Sequence, residues 1–258
     1  MTPTLLTSGS SAKFLKEIRL IATDMDGTLT KSGKFTPALL NAFVELRKAN
    51  IAIAIVTGRS AGWVQAIVNY LPIDGAIAEN GGLYFPNADR APEPLVSLTV
   101  DHRDRLAQVF RELQIEFPQL QPAIDNAFRL TDWTFDVQGL SLADLERLSD
   151  RAHHLGWGFT YSNVQCHIKL PEQDKAAGLQ QVIDRHFPHL SAAQVATVGD
   201  SPNDESLFDP QRFPHSIGVA NLRHYADRMQ HQPAHLTAKA EVDGFCELAQ
   251  LLISASKD

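Results

Sequence analysis

Four short apolar runs, each stopped by a polar turn, restrict what this chain can fold into. Residues 18–22 (apolar apart from Arg19), 51–56, 75–78 and 195–198 have the length and composition of strands. The run 51–56 is continuous, as expected of a strand buried on both faces. Between the first two runs, Thr36-Pro37 reads as a helix N-cap followed by proline at the first helical position, and Leu39, Leu40, Phe43, Val44 and Leu46 recur at helical spacing. A strand, a helix and a strand in that order imply a right-handed crossover and a parallel pair. Ser60 is the N-cap expected for a second helix through Trp63, Ile67 and Tyr70, and Glu79-Asn80-Gly81-Gly82 signals a turn after the third run.

The texture changes after residue 85. Pro86, Pro92 and Pro94 mark a boundary, beyond which the sequence predicts a helix over 101–116, a strand within 128–137, a capping box at Ser141 to Asp144 opening a helix to Leu155, and two short strands over 159–162 and 165–170. Mixed elements in this order predict an α+β unit inserted into a parallel α/β domain. The parallel pattern resumes with Asp174 capping a helix, the strand 195–198, a strand over 216–220 and a terminal helix over 242–253. The expected division is a core of residues 13–85 and 171–258, an insert over 86–170 and a loose tail over 1–12.

Composition narrows the function classes. The 258 residues are 44% hydrophobic and 21% charged, as in an ordinary globular protein long enough to bury a real core. A net charge of −7 argues against a nucleic-acid or anionic-membrane binder. No run reaches the ~18 apolar residues of a membrane span, and the Ser/Thr-rich start does not resemble a signal peptide. The two cysteines, Cys166 and Cys246, form no CxxC, so reduced thiols in a cytoplasmic protein are expected.

Three strand ends carry groups with chemical potential. The first run ends in Asp24-Met25-Asp26-Gly27-Thr28; with a period of two, both carboxylates can face one small volume, and their repulsion then requires a cation or a retained proton. Read alone, this stretch serves equally as an acidic strand-to-turn loop in water. The second run ends in Thr57-Gly58, a hydroxyl and an open backbone N–H before a helix, which suits a phosphate oxygen. The fourth ends in Gly199-Asp200-Ser201-Pro202-Asn203-Asp204, where two carboxylates and an amide suit a hard cation, although the same residues also suit a capped helix start.

In combination, DxDGTLT, TGR, an insert, a lysine and GDSPND resemble the haloacid-dehalogenase-like (HAD) phosphohydrolases, over nearly the whole chain from Leu20 to Asp243-Gly244. The position of the insert resembles the type II caps of subclass IIB (C2B), the Cof-like and sugar-phosphatase branch. The resemblance implies a Rossmann-like parallel sheet with an inserted α+β cap domain. It implies Asp24 as nucleophile, forming an aspartyl-phosphate, and Asp26 as general acid, its proton also relieving the repulsion with Asp24. Mg²⁺ would take the Asp24 carboxylate, the Asp26 backbone carbonyl and the Asp200 carboxylate, with Asp204 close by. Thr57, Gly58, Lys175 and Asn203 would hold the transferring phosphoryl group.

Lys169 and Lys175 both lie near the return of the insert. Lys175 is the preferred phosphate ligand, because a cation in the first turn of a helix is disfavoured by the dipole and so needs another reason to be there. Arg59 resembles a residue that touches cap or substrate. His153, His154, His231 and His235 lack metal-site spacing, and Trp133, Trp157 and Phe159 are expected in the core of the insert. The function expected is hydrolysis of a small phosphorylated metabolite, a sugar phosphate by the resemblance. The alternatives are a phosphosugar mutase of the phosphomannomutase type and a non-catalytic phosphate-ligand sensor.

Overall fold

The computed structural model of the chain describes residues 3–7, 12–87 and 89–257. It opens with β1 (Thr4–Leu5), α1 (Ala12–Glu17) and β2 (Leu20–Thr23), followed by α2 (Pro37–Lys48), β3 (Ala52–Val56), α3 (Ala61–Tyr70) and β4 (Gly75–Ala78). β5 (Leu83–Phe85) and β6 (Glu93–Pro94) then run antiparallel to their neighbours. The insert holds α4 (His102–Glu116), β7 (Trp133–Asp136), α5 (Leu142–His154), β8 (Gly158–Tyr161) and β9 (Gln165–Lys169). The chain returns through α6 (Lys175–His186), β10 (Val195–Gly199), β11 (His215–Gly218), β12 (His235–Leu236) and α7 (Glu241–Ala255).

The main sheet runs β1-β12-β11-β10-β2-β3-β4-β5-β6, and its pairs from β1 to β4 are parallel. β2 sits at the centre, with β3 on one side and β10 on the other, so the strand order reverses beside it. The crevice beyond the carboxyl ends of such strands is where α/β sheets take ligands. Both faces are covered. Leu39, Phe43 and Leu46 of α2 pack with Phe245 and Leu248 of α7 on one face, and Leu179, Val182 and Ile183 of α6 fill the other. α2 starts where the sequence predicts: Thr36 Oγ1 accepts from Leu39 N at 3.3 Å with Pro37 at the first helical position. Burying a side chain such as Phe43 contributes roughly 1.5–3 kcal/mol, and its ring meets Phe245 edge-on at 5.7 Å.

The cap is a three-stranded antiparallel sheet, β7-β9-β8, whose core forms against α4 and α5 through Leu106, Phe110, Leu148 and Trp157. Trp157 is buried there, and Trp133 and Phe159 pack against the same cluster. Ser141 and Asp144 make the reciprocal capping box of α5.

Three expectations are corrected. The tail is not loose throughout: Thr4 and Leu5 pair with His235 and Leu236, and Leu6 is buried, because β12 leaves a parallel edge that this short segment covers; residues 1, 2 and 8–11 lie outside those described. The insert does not leave the core at residue 86, since β6 still pairs with β5 and Leu95 packs in the core. Ser60 occupies the N-cap of α3 but makes no side-chain cap bond; Ala61 N donates instead to Glu79 Oε1 at 2.9 Å.

Candidate active site

The three sequence motifs converge because β2, β3 and β10 are adjacent and parallel. Asp24 follows the last residue of β2 and is tied to β10 by its N–H, which donates to Val198 O at 2.8 Å. Thr57 follows β3, its N–H donating to Ile77 O at 2.9 Å, and Asp200 follows β10. Gly27 makes the approach possible. Its φ is +85°, and a Cβ there would clash with Asp200 Oδ2.

Lys175, the first residue of α6, is fully buried between two carboxylates, its Nζ lying 2.6 Å from Asp24 Oδ1 and 2.6 Å from Asp204 Oδ1. Burial works against its charge, but Asp204 and Asp24 overcome this and hold its pKa above that of an ordinary lysine. Lys169 is also buried, but it donates to the backbone carbonyl of Gln173 and touches neither motif. Of the two lysines, Lys175 is therefore the one at the strand ends.

One carboxylate oxygen each from Asp24, Asp200 and Asp204 lies within 4.8 Å of the others, and all three residues are buried. Burial, with Asp204 and Asp26 adding to it against the opposing Lys175, pushes the Asp24 carboxyl up to about 7. Burial and the charges of Asp24 and Asp204 hold Asp200 well above the ordinary carboxylate range. Three carboxylates against one ammonium leave an excess of negative charge. Asp200 Oδ1 is buried with no hydrogen-bond partner, while its Oδ2 accepts from Asn221 at 2.8 Å. Asp204 is fully engaged, Oδ1 by Lys175 and Oδ2 by the N–H groups of Asp200 and Ser201 at 2.9 and 3.1 Å. Such an oxygen-rich, under-neutralised site fits a hard divalent cation such as Mg²⁺, with Asp24 and Asp200 offering free oxygens and Asp204 holding the loop.

Asp26 is placed differently from the expectation. Its repulsion with Asp24 is answered by Arg59, whose Nε donates to Asp26 Oδ2 and Nη2 to Oδ1, both at 2.7 Å. Asn203 Nδ2 donates to Asn80 Oδ1 at 3.1 Å, which brings the turn after β4 into the site. A small cleft of about 20 Å³ joins Asp24, Asp26, Thr57, Gly58, Arg59 and Asn203 to Ser162, Gln165 and His167 of the cap.

The sequence missed how the cap is fixed above this cleft. Glu79, with φ +53°, accepts from Ala61 N of α3 and from Leu130 N, Thr131 N and Thr131 Oγ1 of the cap. Arg129 donates to Asp125, Asp132, Gln165 and the carbonyl of Gly58, and Asp132 also meets His167 Nδ1 at 2.8 Å. Glu79 and Asn80 read only as turn residues in the sequence, and the cap residues belong to no local pattern.

Comparison with known proteins agrees with this arrangement. Residues 21–121 match the family model of haloacid dehalogenase-like hydrolases. Phosphoglycolate phosphatase of Methanothrix thermoacetophila is 27% identical over 222 residues, covering 82% of this chain and 91% of the relative. Its counterpart from Haloarcula marismortui is 29% identical over 229 residues, covering 87% and 92%. In fold, the crystal structure of Thermoplasma acidophilum 0175 superposes with a TM-score of 0.73 at 19% identity, covering 91% of this chain and 98% of that one. The chain is thus similar to haloacid dehalogenase-like hydrolases over residues 21–121 and shares its fold with that solved structure over most of its length.

Proposed function

We propose that this protein is a phosphatase that hydrolyses a small phosphorylated metabolite through an aspartyl-phosphate on Asp24, with Mg²⁺ as its cation. The observation that carries the reading is the Asp24 carboxylate, pinned through one oxygen by buried Lys175 beside an Asp200 oxygen that has no partner. A nucleophile needs one fixed free oxygen, and a phosphoryl group needs positive charge beside it.

Mg²⁺ held by the Asp24 and Asp200 carboxylates and the Asp26 backbone carbonyl would neutralise charge on the phosphoryl oxygens. Lys175 orients Asp24 and adds a second cation. Thr57 and the Gly58 N–H, at the start of α3, offer donors to the phosphoryl oxygens, and Asn203 offers its amide from the opposite wall. Asp204 keeps the loop after β10 and Lys175 in place. Asp26 gives a proton to the leaving oxygen and takes one from the attacking water.

The cap supports a small substrate. The cleft is small, about 20 Å³, and is lined on the cap side by Ser162, Val164, Gln165 and His167. Phosphoglycolate, named in the relatives' activity, is the first ester to try, beside the sugar phosphates that the sequence suggests. The test is phosphate release from a panel of two- to six-carbon esters and an aryl phosphate, with Mg²⁺ and with chelator. Release that depends on Mg²⁺ and disappears in Asp24→Asn is expected; release that survives both treatments overturns the mechanism, and transfer to a second sugar without release favours a mutase.

A further inference from the structure

A second cavity, about 370 Å³ in volume, meets the catalytic cleft at Asn203, which lines both, and the mechanism above gives it no task. Its size is that of a small-molecule pocket. Four of its lining residues are buried, namely Asn80, Lys169, Lys175 and Asn203. All four carry hydrogen-bond donors and none is a carboxylate. The acids of the lining, Asp174, Glu205 and Asp209, are only partly buried, and each is already engaged. Asp174 caps α6 and meets Arg212 at 3.3 Å, Asp209 accepts from Gln211 N, and Glu205 accepts from the N–H groups of Gln230 and His231. The buried end of the cavity is therefore rich in donors and free of acids.

Two of those donors lack the partner that burial demands. Asn80 is 1% exposed, and its Nδ2 has no hydrogen-bond partner although its Oδ1 accepts from Asn203 at 3.1 Å. A buried donor left unpaired is costly, and native structures rarely keep one without use. Lys169 is the second. Gln165, His167 and Lys169 alternate on one face of β9; the first two line the catalytic cleft and the third reaches the cavity. An ammonium has three donors, and the hydrogen bond that Lys169 makes goes to the Gln173 carbonyl. Among the described residues it forms no ion pair, and burial lowers its pKa despite the charges of Asp174, Asp132 and Glu172. Lys175 is buried as deeply, but two carboxylates at 2.6 Å answer its charge. The partner of Lys169 has to come from solution.

We propose that the buried end of this cavity binds a small oxyanion, held by the Lys169 ammonium and the Asn80 amide, at a site separate from the phosphoryl position. Inorganic phosphate and a short carboxylate share the chemistry required, negative oxygens that accept charge-assisted hydrogen bonds. Thr160, paired with His167 across β8 and β9, adds a hydroxyl to the same lining. Asn80 belongs to the core, whereas Lys169 and Thr160 belong to the cap sheet, so a bound anion bridges the two. The site stands on this geometry and not on the phosphatase reading.

The experiment titrates the Mg²⁺-loaded protein with tungstate, a tetrahedral oxyanion, by calorimetry, and locates the ion in crystals by its anomalous scattering. One tungstate is expected within hydrogen-bond reach of Lys169 Nζ and Asn80 Nδ2, apart from any at Asp24. Lys169→Gln, whose amide can still donate to the Gln173 carbonyl, should weaken binding at this site by about 10-fold or more, as for a lost hydrogen bond to a charged group. Lys169→Arg should keep most of it. Inorganic phosphate and acetate are then set against tungstate at this site. Displacement by either supports the site, and which of them displaces it names the ligand; displacement by neither overturns the inference. Absence of tungstate beside Lys169, or equal affinity in Lys169→Gln, overturns it too, and the crystal measurement on the wild type stands even if the variants fail to fold. Tungstate beside Lys169 in a protein that releases no phosphate from any ester would remove the phosphatase reading and leave this site standing.

Discussion

Two buried polar clusters, one at the strand ends and one at the seam between core and cap, differ in whether every carboxylate oxygen finds a donor. At the strand ends, Asp24, Asp200 and Asp204 face one ammonium, and Asp200 Oδ1 has no partner. At the seam between core and cap, Arg129 is bracketed by Asp125 and Asp132, Asp132 also binds His167, and the Glu79 carboxylate is met by backbone and hydroxyl donors from both sides. The first cluster is arranged for something that arrives from solution. The second has a donor for each carboxylate oxygen, although Arg129 Nε is left without a partner, and it ties the cap to the core. Burial alone does not distinguish the two clusters; the carboxylate oxygen left without a donor, Asp200 Oδ1, does.

The largest effect should come from the incomplete cluster. Asp24→Asn should lower phosphate release by about four orders of magnitude or more, because an amide cannot accept the phosphoryl group. Its fold, followed by circular dichroism, should be unchanged. Retained turnover would break the comparison at its centre. Lys175→Met should also reduce kcat/KM steeply, and it leaves two buried carboxylates facing each other, a loss of about 3–5 kcal/mol by analogy with broken buried pairs. Lys169→Met should affect stability through the lost bond to Gln173 while sparing kcat; the opposite pattern would move the role to Lys169.

Metal binding sharpens the contrast. Mg²⁺ should raise the melting temperature, the gain corresponding to about 2.7 kcal/mol at a hundredfold excess over Kd. Asp200→Asn should abolish that gain, whereas Arg129→Met should lower stability without removing it. Ca²⁺ should substitute poorly in turnover, since it accepts more ligands in looser geometry and misplaces Asp24 for in-line attack. A melting temperature unmoved by Mg²⁺ in the wild type would mean that Lys175 already completes the cluster.

The two clusters also differ in how far they could be read in the sequence. Asp24, Thr57 and Asp200 each follow an apolar run directly, so the strand pattern that predicts the sheet also brings them together. The choice of Lys175 over Lys169 followed from helix electrostatics, and α6 does place it between Asp24 and Asp204. The sequence required a proton or a cation for Asp26 but could not supply Arg59, because a side chain two residues beyond Thr57 reaches Asp26 only through the curve of the loop. The seam was illegible for a related reason. Glu79, Arg129, Asp132 and His167 come from separated stretches with no shared period, and only the docked cap makes them neighbours. The pairing of Thr4 and Leu5 was hidden likewise, since an edge strand two residues long is decided by β12 and not by its own composition.

The smallest predicted effect tests whether the seam is as complete as its geometry indicates. His167 is buried, and burial lowers its pKa below 6.5 despite the opposing pull of Asp132, with Arg129 and Lys175 lowering it further. Between its folded value and 6.5 the unfolded chain therefore binds more protons than the folded one. Stability contributed by the neutral ring is fully present above about pH 6.5 and is lost as the pH falls through that window. Glu79 acts in the other direction at lower pH, because burial holds its carboxyl above the ordinary value and its protonation then favours the folded state. The difference between wild type and His167→Gln isolates the histidine. Thermal melts from pH 7.5 to 5 should show the wild type losing stability more steeply than the variant, by about 1.4 kcal/mol for each pKa unit of depression. Parallel curves would show that His167 titrates normally and that water reaches its ring through the cleft it lines.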